Sequence, residues 1–378
     1  MKQQSKLDRI SNRRVIVLMT LFFSAGVCLL FLPSLLSEYE SVAELYSSRL
    51  FPVLSFVPSL ISNIFPISLT EVFVVSSVII IPILLRFFLV RIIRSEQRLR
   101  TLRNAVLVFS AVFLVATYQY SMMHGINYSR RPIKSALMLN SSDEYEVADI
   151  EEALDFYLNG IISAQSELDH NDKGQTLLMS PISSTLRAGN DSMDRAASIH
   201  SVFSGNKVVP KPVWLSAYWS YTNIVGMYNP FFVEANINID TPEYEIPLTV
   251  CHEIAHVRGI AREDEANMTS FIACLYSERA DYRYAAYLYA FENLIGDLRH
   301  YDAAKSDDLI ARLPDAVFAD WQASADYWSQ FEGKVSEFSS QANDSFLKAN
   351  RQEDGVQSYM LTGRLFLDYY FQYLADFS

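Results

Sequence analysis

Apolar and polar positions alternate in two different ways along this chain. In the first third the apolar residues run together, in stretches at 15–36, 72–93 (interrupted late by Arg86 and Arg91) and 105–123. Each is close to the length that spans a hydrocarbon core as a helix. Beyond residue 123 apolar residues recur every three or four positions, the spacing of amphipathic helices. Such helices are expected at 144–168, with Val147, Ile150, Leu154, Tyr157, Leu158 and Ile161 on one face, and at 193–203, 247–258, 264–282, 284–299, 315–348 (continuous or broken) and 356–375. Arg364 and Asp368 inside the last mark a packed amphipathic helix, not a fourth span.

Between these helical patterns, "VVPKPVWLSAYWSY" and "TNIVGMYNPFFVEANIN" are rich in β-branched and aromatic residues cut by Pro and Gly, and predict short strands of a small sheet. Residues 37–71, with Pro52, Pro58 and Pro66, read as a membrane-hugging loop with one short helix. "HGINYSRRPI" reads as an exit loop, and 169–190 as polar and turn-rich. The fold class that follows is α+β: a membrane domain over 1–123 with three transmembrane helices, then a mainly helical domain with a small β-sheet over 124–378.

Charge orients this arrangement. Residues 1–123 carry 12 basic and 6 acidic side chains, and 124–378 carry 19 basic and 37 acidic. Lys2, Lys6, Arg9, Arg13 and Arg14 precede the first span, and Arg94, Arg98, Arg100 and Arg103 lie between the second and third. The loop between the first two spans has Arg49 beside Glu38, Glu40, Glu44 and Glu71. Basic loops stay cytoplasmic. The expectation is a multi-pass protein of the cell membrane with its N-terminus in the cytoplasm and its acidic domain outside. The lipid bilayer is then a partner, while an acidic domain repels nucleic acid. Cys28 lies in the first span, and Cys251 and Cys274 fall in apolar helical patterns, so buried thiols are expected and no disulfide framework.

The chemistry concentrates in "PLTVCHEIAHVRGIAREDEANMTSF", residues 247–271. Pro247 suits the first turn of a helix. His252 and His256 are four apart, so both imidazoles project from one side, and Glu253 lies on the rim of that face. This is HExxH: two zinc ligands and a carboxylate that can reach a metal-bound water. Gly259 allows a sharp exit, and "REDEAN" opens a second helix. A catalytic zinc takes a third protein ligand, for which Glu263 and Glu265 are the candidates. Glu263 shares a helical face with Asn267, whose amide oxygen can orient a histidine N–H, so Glu263 is favoured. His124, His170, His200 and His300 have no partner at ligand spacing and read as surface or core residues.

The segment "HEIAHVRGIAREDEAN" resembles the signature of a bacterial membrane-anchored family of unassigned function placed among the zincin-like metallopeptidases. The resemblance extends to the three spans, "GINYSRRP", "YNPFFVEANIN" and "FLKANRQEDGVQSYM". The Glu-x-x-Ala-Asn tetrad at Glu263 is also similar to the Glu-x-x-Ala-Asp segment that supplies the third ligand in gluzincins. Two departures stand out: Asn267 replaces the Asp, and only six residues separate His256 from Glu263. The short link keeps Glu263 and Glu265 both open.

The function expected is a membrane-anchored zinc metallopeptidase acting on peptide or protein substrates at the outer face, with Glu253 as general base for a zinc-bound water. The stretch "IVGMYNPFFVEANIN" is placed to be an edge strand that pairs with substrate. Tyr359, and also Tyr228, are candidates to stabilise the oxyanion. The alternative is a non-catalytic metal- or peptide-binding sensor or scaffold. An intramembrane protease is excluded, because Arg258, Arg262, Glu263, Asp264 and Glu265 beside the motif are too costly at bilayer depth.

Overall fold

The computed structural model describes residues 2–140, 145–350, 352 and 362–377, with side chains from Asn12 onward except at 362 and 377. In chain order the elements are α1 (Lys2–Leu36), α2 (Glu40–Leu45), a π-helical turn (Tyr46–Leu50), α3 (Phe51–Ile64), α4 (Leu69–Arg94), α5 (Arg98–Met123), a 3-10 turn (Gly125–Ser129), α6 (Ile133–Ala136), α7 (Val147–Gln165) and α8 (Ile182–Ile199). Then follow β1 (Lys211–Val213), α9 (Ser216–Ser220), β2 (Gly226–Asn229), β3 (Glu234–Asn238), α10 (Ile246–Val257), α11 (Glu263–Leu275), α12 (Ala280–Tyr301), α13 (Ala303–Ala311), α14 (Asp315–Ser329), α15 (Lys334–Ala349) and α16 (Thr362–Tyr369). The fold is mostly helical α+β with a three-stranded sheet.

Three helical stretches are long and apolar enough to cross a membrane: Asn12–Leu36, Leu69–Arg94 and Arg98–Ser129. The first and third pack closely. A Cβ at Gly26 would lie 2.7 Å from the Phe113 ring, and Phe23 stacks on Phe113 at 5.3 Å. Small residues at such a crossing let the backbones approach where lipid supplies no hydrophobic drive. Ser121 Oγ donates to the Leu29 carbonyl at 2.7 Å. The ends of α1 and α5 and the start of α4 lie on the side of the globular domain. The opposite ends carry the basic residues around Arg94 and Arg98.

Several boundaries differ from the sequence reading for physical reasons. Residues 40–64 are almost continuously helical rather than loop: Pro52 falls in the first turn of α3, where its missing N–H costs little, and Pro58 is carried inside the helix. α8 begins at Ile182, inside the stretch read as turns. Its buried face joins Leu186, Met193 and Ala196 to small and polar residues such as Thr185, Gly189 and Ser192, so only a sparse apolar row marks the helix among polar neighbours. The helix expected at 264–282 is cut between Leu275 and Ala280, and the stretch at 315–348, whose pattern is open to a break, is interrupted between Ser329 and Lys334.

The sheet order is β1-β3-β2, with β1 parallel and β2 antiparallel to β3, so β2 is an edge. The alternation in "EANIN" gives β3 two faces. Ala235 and Ile237 enter the core, which α10 shares. On the other face Glu234 is buried too, because its carboxylate caps the start of a membrane helix. It accepts from Leu69 N (3.2 Å), Thr70 N (2.9 Å), Thr70 Oγ1 (2.7 Å) and Ser62 Oγ (2.9 Å). Ser68 Oγ donates to Asn236 Oδ1 at 2.6 Å and accepts from Glu71 N at 2.8 Å. The strand thereby satisfies the free N–H groups of α4 and complements its dipole. Cys251 and Cys274 are buried free thiols.

Replacing Glu234 with Ala should cost about 2–4 kcal/mol, since it strands buried donors at a helix N-terminus. A thermal melt in mild detergent should show a clear drop in Tm for Glu234→Ala and a smaller one for Glu234→Gln.

Candidate metal centre

The first half of the centre is one helix and its exit. α10 is buried on most sides, and the i, i+4 spacing brings His252 Nε2 and His256 Nε2 to 3.0 Å from each other. The helix ends in a Schellman turn: Gly259 N–H donates to the His256 carbonyl and Ile260 N–H to the Ala255 carbonyl, both at 3.0 Å. Gly259 has φ +83°, which a side chain disfavours, and an added Cβ would also meet the Phe51 ring at 3.0 Å. The turn points the Ile260 carbonyl back at the ring, where His256 Nδ1–H donates to it at 2.7 Å.

The second half is the start of α11. The tight turn is what lets a six-residue link suffice. Glu263 Oε2 lies 3.1 Å from His252 Nε2 and 3.7 Å from His256 Nε2. One turn on, Asn267 Oδ1 accepts from His252 Nδ1 at 2.9 Å. Both imidazoles therefore carry a proton on Nδ1 and turn Nε2 toward the same point. His252, His256 and Glu263 are the one group of metal-ligating side chains that converges among the described residues.

Glu265, held open as a ligand by the sequence, does not reach this point. Two residues along a helix turn it about 160° away from Glu263. Its buried carboxylate accepts from Ile133 N at 2.9 Å and Arg262 Nη1 at 2.7 Å. The third donor position belongs to Glu263. Arg262 also donates to the Tyr128 and Arg130 carbonyls, and Arg130 donates to the Gly259 carbonyl at 3.0 Å. "GINYSRRP" is thus a buried brace for the turn, not a free exit loop. Arg258 pairs with Asp194 at 2.7 Å, away from the centre.

Electrostatics favour a cation at the shared point. Burial opposes charging of His256, but the Glu263 carboxylate outweighs it and raises the group to about 9. Burial likewise opposes ionisation of Glu263, yet the two imidazoles hold it well below the usual carboxylate range. Two Nε2 atoms 3.0 Å apart need a proton or a metal ion between them. Tetrahedral zinc with nitrogen and oxygen bonds near 2.0–2.1 Å sets its ligands roughly 3.3 Å apart. The observed separations bracket that value, so these residues fit zinc.

Glu253 is 4 % exposed, and burial pushes its carboxyl up to about 6, with the imidazoles and the Tyr228 backbone N–H acting the other way. Its Oε2 has no hydrogen-bond partner among the described residues. A free buried carboxylate oxygen beside the ligands is what a general base requires. It lies against β2, where any side chain at 226 would collide with it. The lone glycine inside a strand pattern was the available sign of such an approach.

A cleft of about 770 Å³ opens over these groups, walled by β2, α10, the end of α5 and α15. His124 lines it with its ring 6.1 Å from that of His256, and Phe346 stacks over His124. The sequence gives no sign of this, because His124 is remote from the motif along the chain. Tyr228, a candidate oxyanion donor, is corrected: its hydroxyl donates to the Met123 carbonyl at 2.9 Å. Tyr359 lies outside the described residues.

Purified chain should carry about one zinc, lost in His256→Ala and retained in Glu265→Gln. Asn267→Ala should weaken zinc binding about 10–100-fold, because it frees the His252 ring. Metal titration with elemental analysis reads each outcome.

No curated protein and no solved structure matches the chain. The family model that does match is described without an activity, so nothing in it ties the chain to the zincin metallopeptidases. That match covers residues 46–366, and the chain belongs to the family described as "Protein of unknown function (DUF3810)".

Proposed function

We propose that the protein is a membrane-anchored zinc-dependent metallopeptidase that hydrolyses peptide bonds at the outer face of the cytoplasmic membrane. The observation that carries this reading is the meeting of three donors, His252 Nε2, His256 Nε2 and Glu263 Oε2, beside an unpartnered carboxylate oxygen on Glu253. The outer location rests on the basic residues at the far ends of the spans.

Zinc, when bound by these three residues, lowers the pKa of water and polarises a carbonyl. The remaining work falls to the chain. Glu253 accepts the proton of the attacking water at Oε2 and delivers it to the departing amine. Its position against Gly226 keeps the carboxylate aimed at the ligands. The His256–Ile260 and His252–Asn267 hydrogen bonds hold both rings in the ligating tautomer. β2, an edge strand beside Glu253, offers backbone groups to an extended substrate.

Zinc-loaded protein should cleave members of an unbiased peptide library, with cuts read by mass spectrometry. Glu253→Gln should keep its zinc and lose roughly 10²–10⁴-fold in rate, and a chelator should abolish cleavage reversibly. A Glu253→Gln protein that keeps full cellular function would instead support a non-catalytic scaffold. Gly226→Ala should lower kcat without loss of zinc, since the new methyl displaces the carboxylate.

A further inference from the structure

The cleft is fastened to the membrane-crossing helices from several sides. Its floor includes Tyr120 and His124, at the end of α5, and the His124 ring is one contact from a metal ligand. The β2–β3 turn is held against the spans: Gln119 Nε2 donates to the Pro230 carbonyl at 2.9 Å, and Phe73 of α4 stacks on Phe231 at 6.2 Å. Trp214 N and Leu215 N donate to Glu71, in the first turn of α4. There Trp214 and Tyr218 are 76 % and 70 % exposed, as aromatic side chains are at a bilayer interface.

α3 adds a second footing. Its amphipathicity is inverted: Ser55, Ser59 and Ser62 are buried, while Val53, Phe56, Val57, Leu60, Ile61 and Ile64 are each more than half exposed. At 14 residues it spans about 21 Å, too short to cross the bilayer, so it lies along the surface. Phe51 of this helix lies against Gly259, at the turn that shapes the metal centre.

The edge strand gives the cleft a direction. β2 starts at Gly226, against the Glu253 carboxylate, and leads into the turn at Pro230 and Phe231, against the spans. Four strand residues cover about 13 Å. Building on the peptidase reading above, we infer that the substrate is the juxtamembrane segment of another membrane-inserted polypeptide. That segment adds to the free edge of β2 as it leaves the bilayer and is cut about four residues out.

The test uses full-length, zinc-loaded protein in phosphatidylethanolamine–phosphatidylglycerol vesicles. One substrate library is a single-span peptide followed by a randomised segment of about 30 residues, roughly 100 Å if extended. The other is the same segment without the span. Cuts are mapped by mass spectrometry, and any that persist with Glu253→Gln are discounted. Cuts clustered about three to six residues from the span end, with the soluble library cleaved at least ~10-fold more slowly, are expected. Cuts scattered along the segment, or equal cleavage of both libraries, would overturn the inference while leaving the peptidase reading intact. Absence of any Glu253-dependent cut in either library would sink the peptidase reading, and this inference with it.

Discussion

The turn at Gly259 is the constraint on which the remainder of the centre depends. It ends α10 within one residue of the second imidazole and reverses the chain into α11, so that Glu263 arrives 3.1 Å from His252 Nε2. It aims the Ile260 carbonyl at His256 Nδ1 and leaves the Gly259 carbonyl to Arg130. A left-handed residue at φ +83° is required, and an added Cβ would also press on the Phe51 ring at 3.0 Å. The ligand geometry, the histidine tautomer and the contact with the segment that leaves the third span all pass through these few atoms.

A second organising idea is that the globular part satisfies the membrane helices. The first N–H groups of α4 end on Glu234 of the central strand. The last turn of α5 ends on Tyr228, whose hydroxyl donates to the Met123 carbonyl. Backbone groups at a span's end have no hydrocarbon partner, and here they are met by buried side chains. This explains why β3 buries its polar face and why Tyr228 has no hydroxyl to spare for chemistry.

The inverted face of α3 belongs to the same logic. A helix that buries serines and exposes valine, leucine, isoleucine and phenylalanine is unfavourable in water and favourable where lipid covers it. The segment that looked like a proline-rich loop is a helical strap between the spans and the candidate metal centre, hydrogen-bonded through Ser62 to Glu234 and through Asn206 to the Pro52 carbonyl.

Much of this was legible in the chain. Continuous apolar runs mark the three spans because the bilayer demands unbroken apolar length, and HExxH on a Pro-initiated helix puts two imidazoles on one side because a helix repeats every 3.6 residues. The face shared by Glu263 and Asn267 follows from the same periodicity. Periodicity says which residues point together but not toward what. The link length left Glu263 and Glu265 both open until the Schellman turn fixed how α11 sits against α10, and until Ile133 and Arg262 were seen to hold Glu265. His124 and Gly226 join the cleft through contacts across more than a hundred and more than twenty positions of chain, respectively, which no local pattern encodes. Local chemistry determined the spans and the donors; only the packing of distant segments decided which donors meet and how close the apolar helices lie beside them.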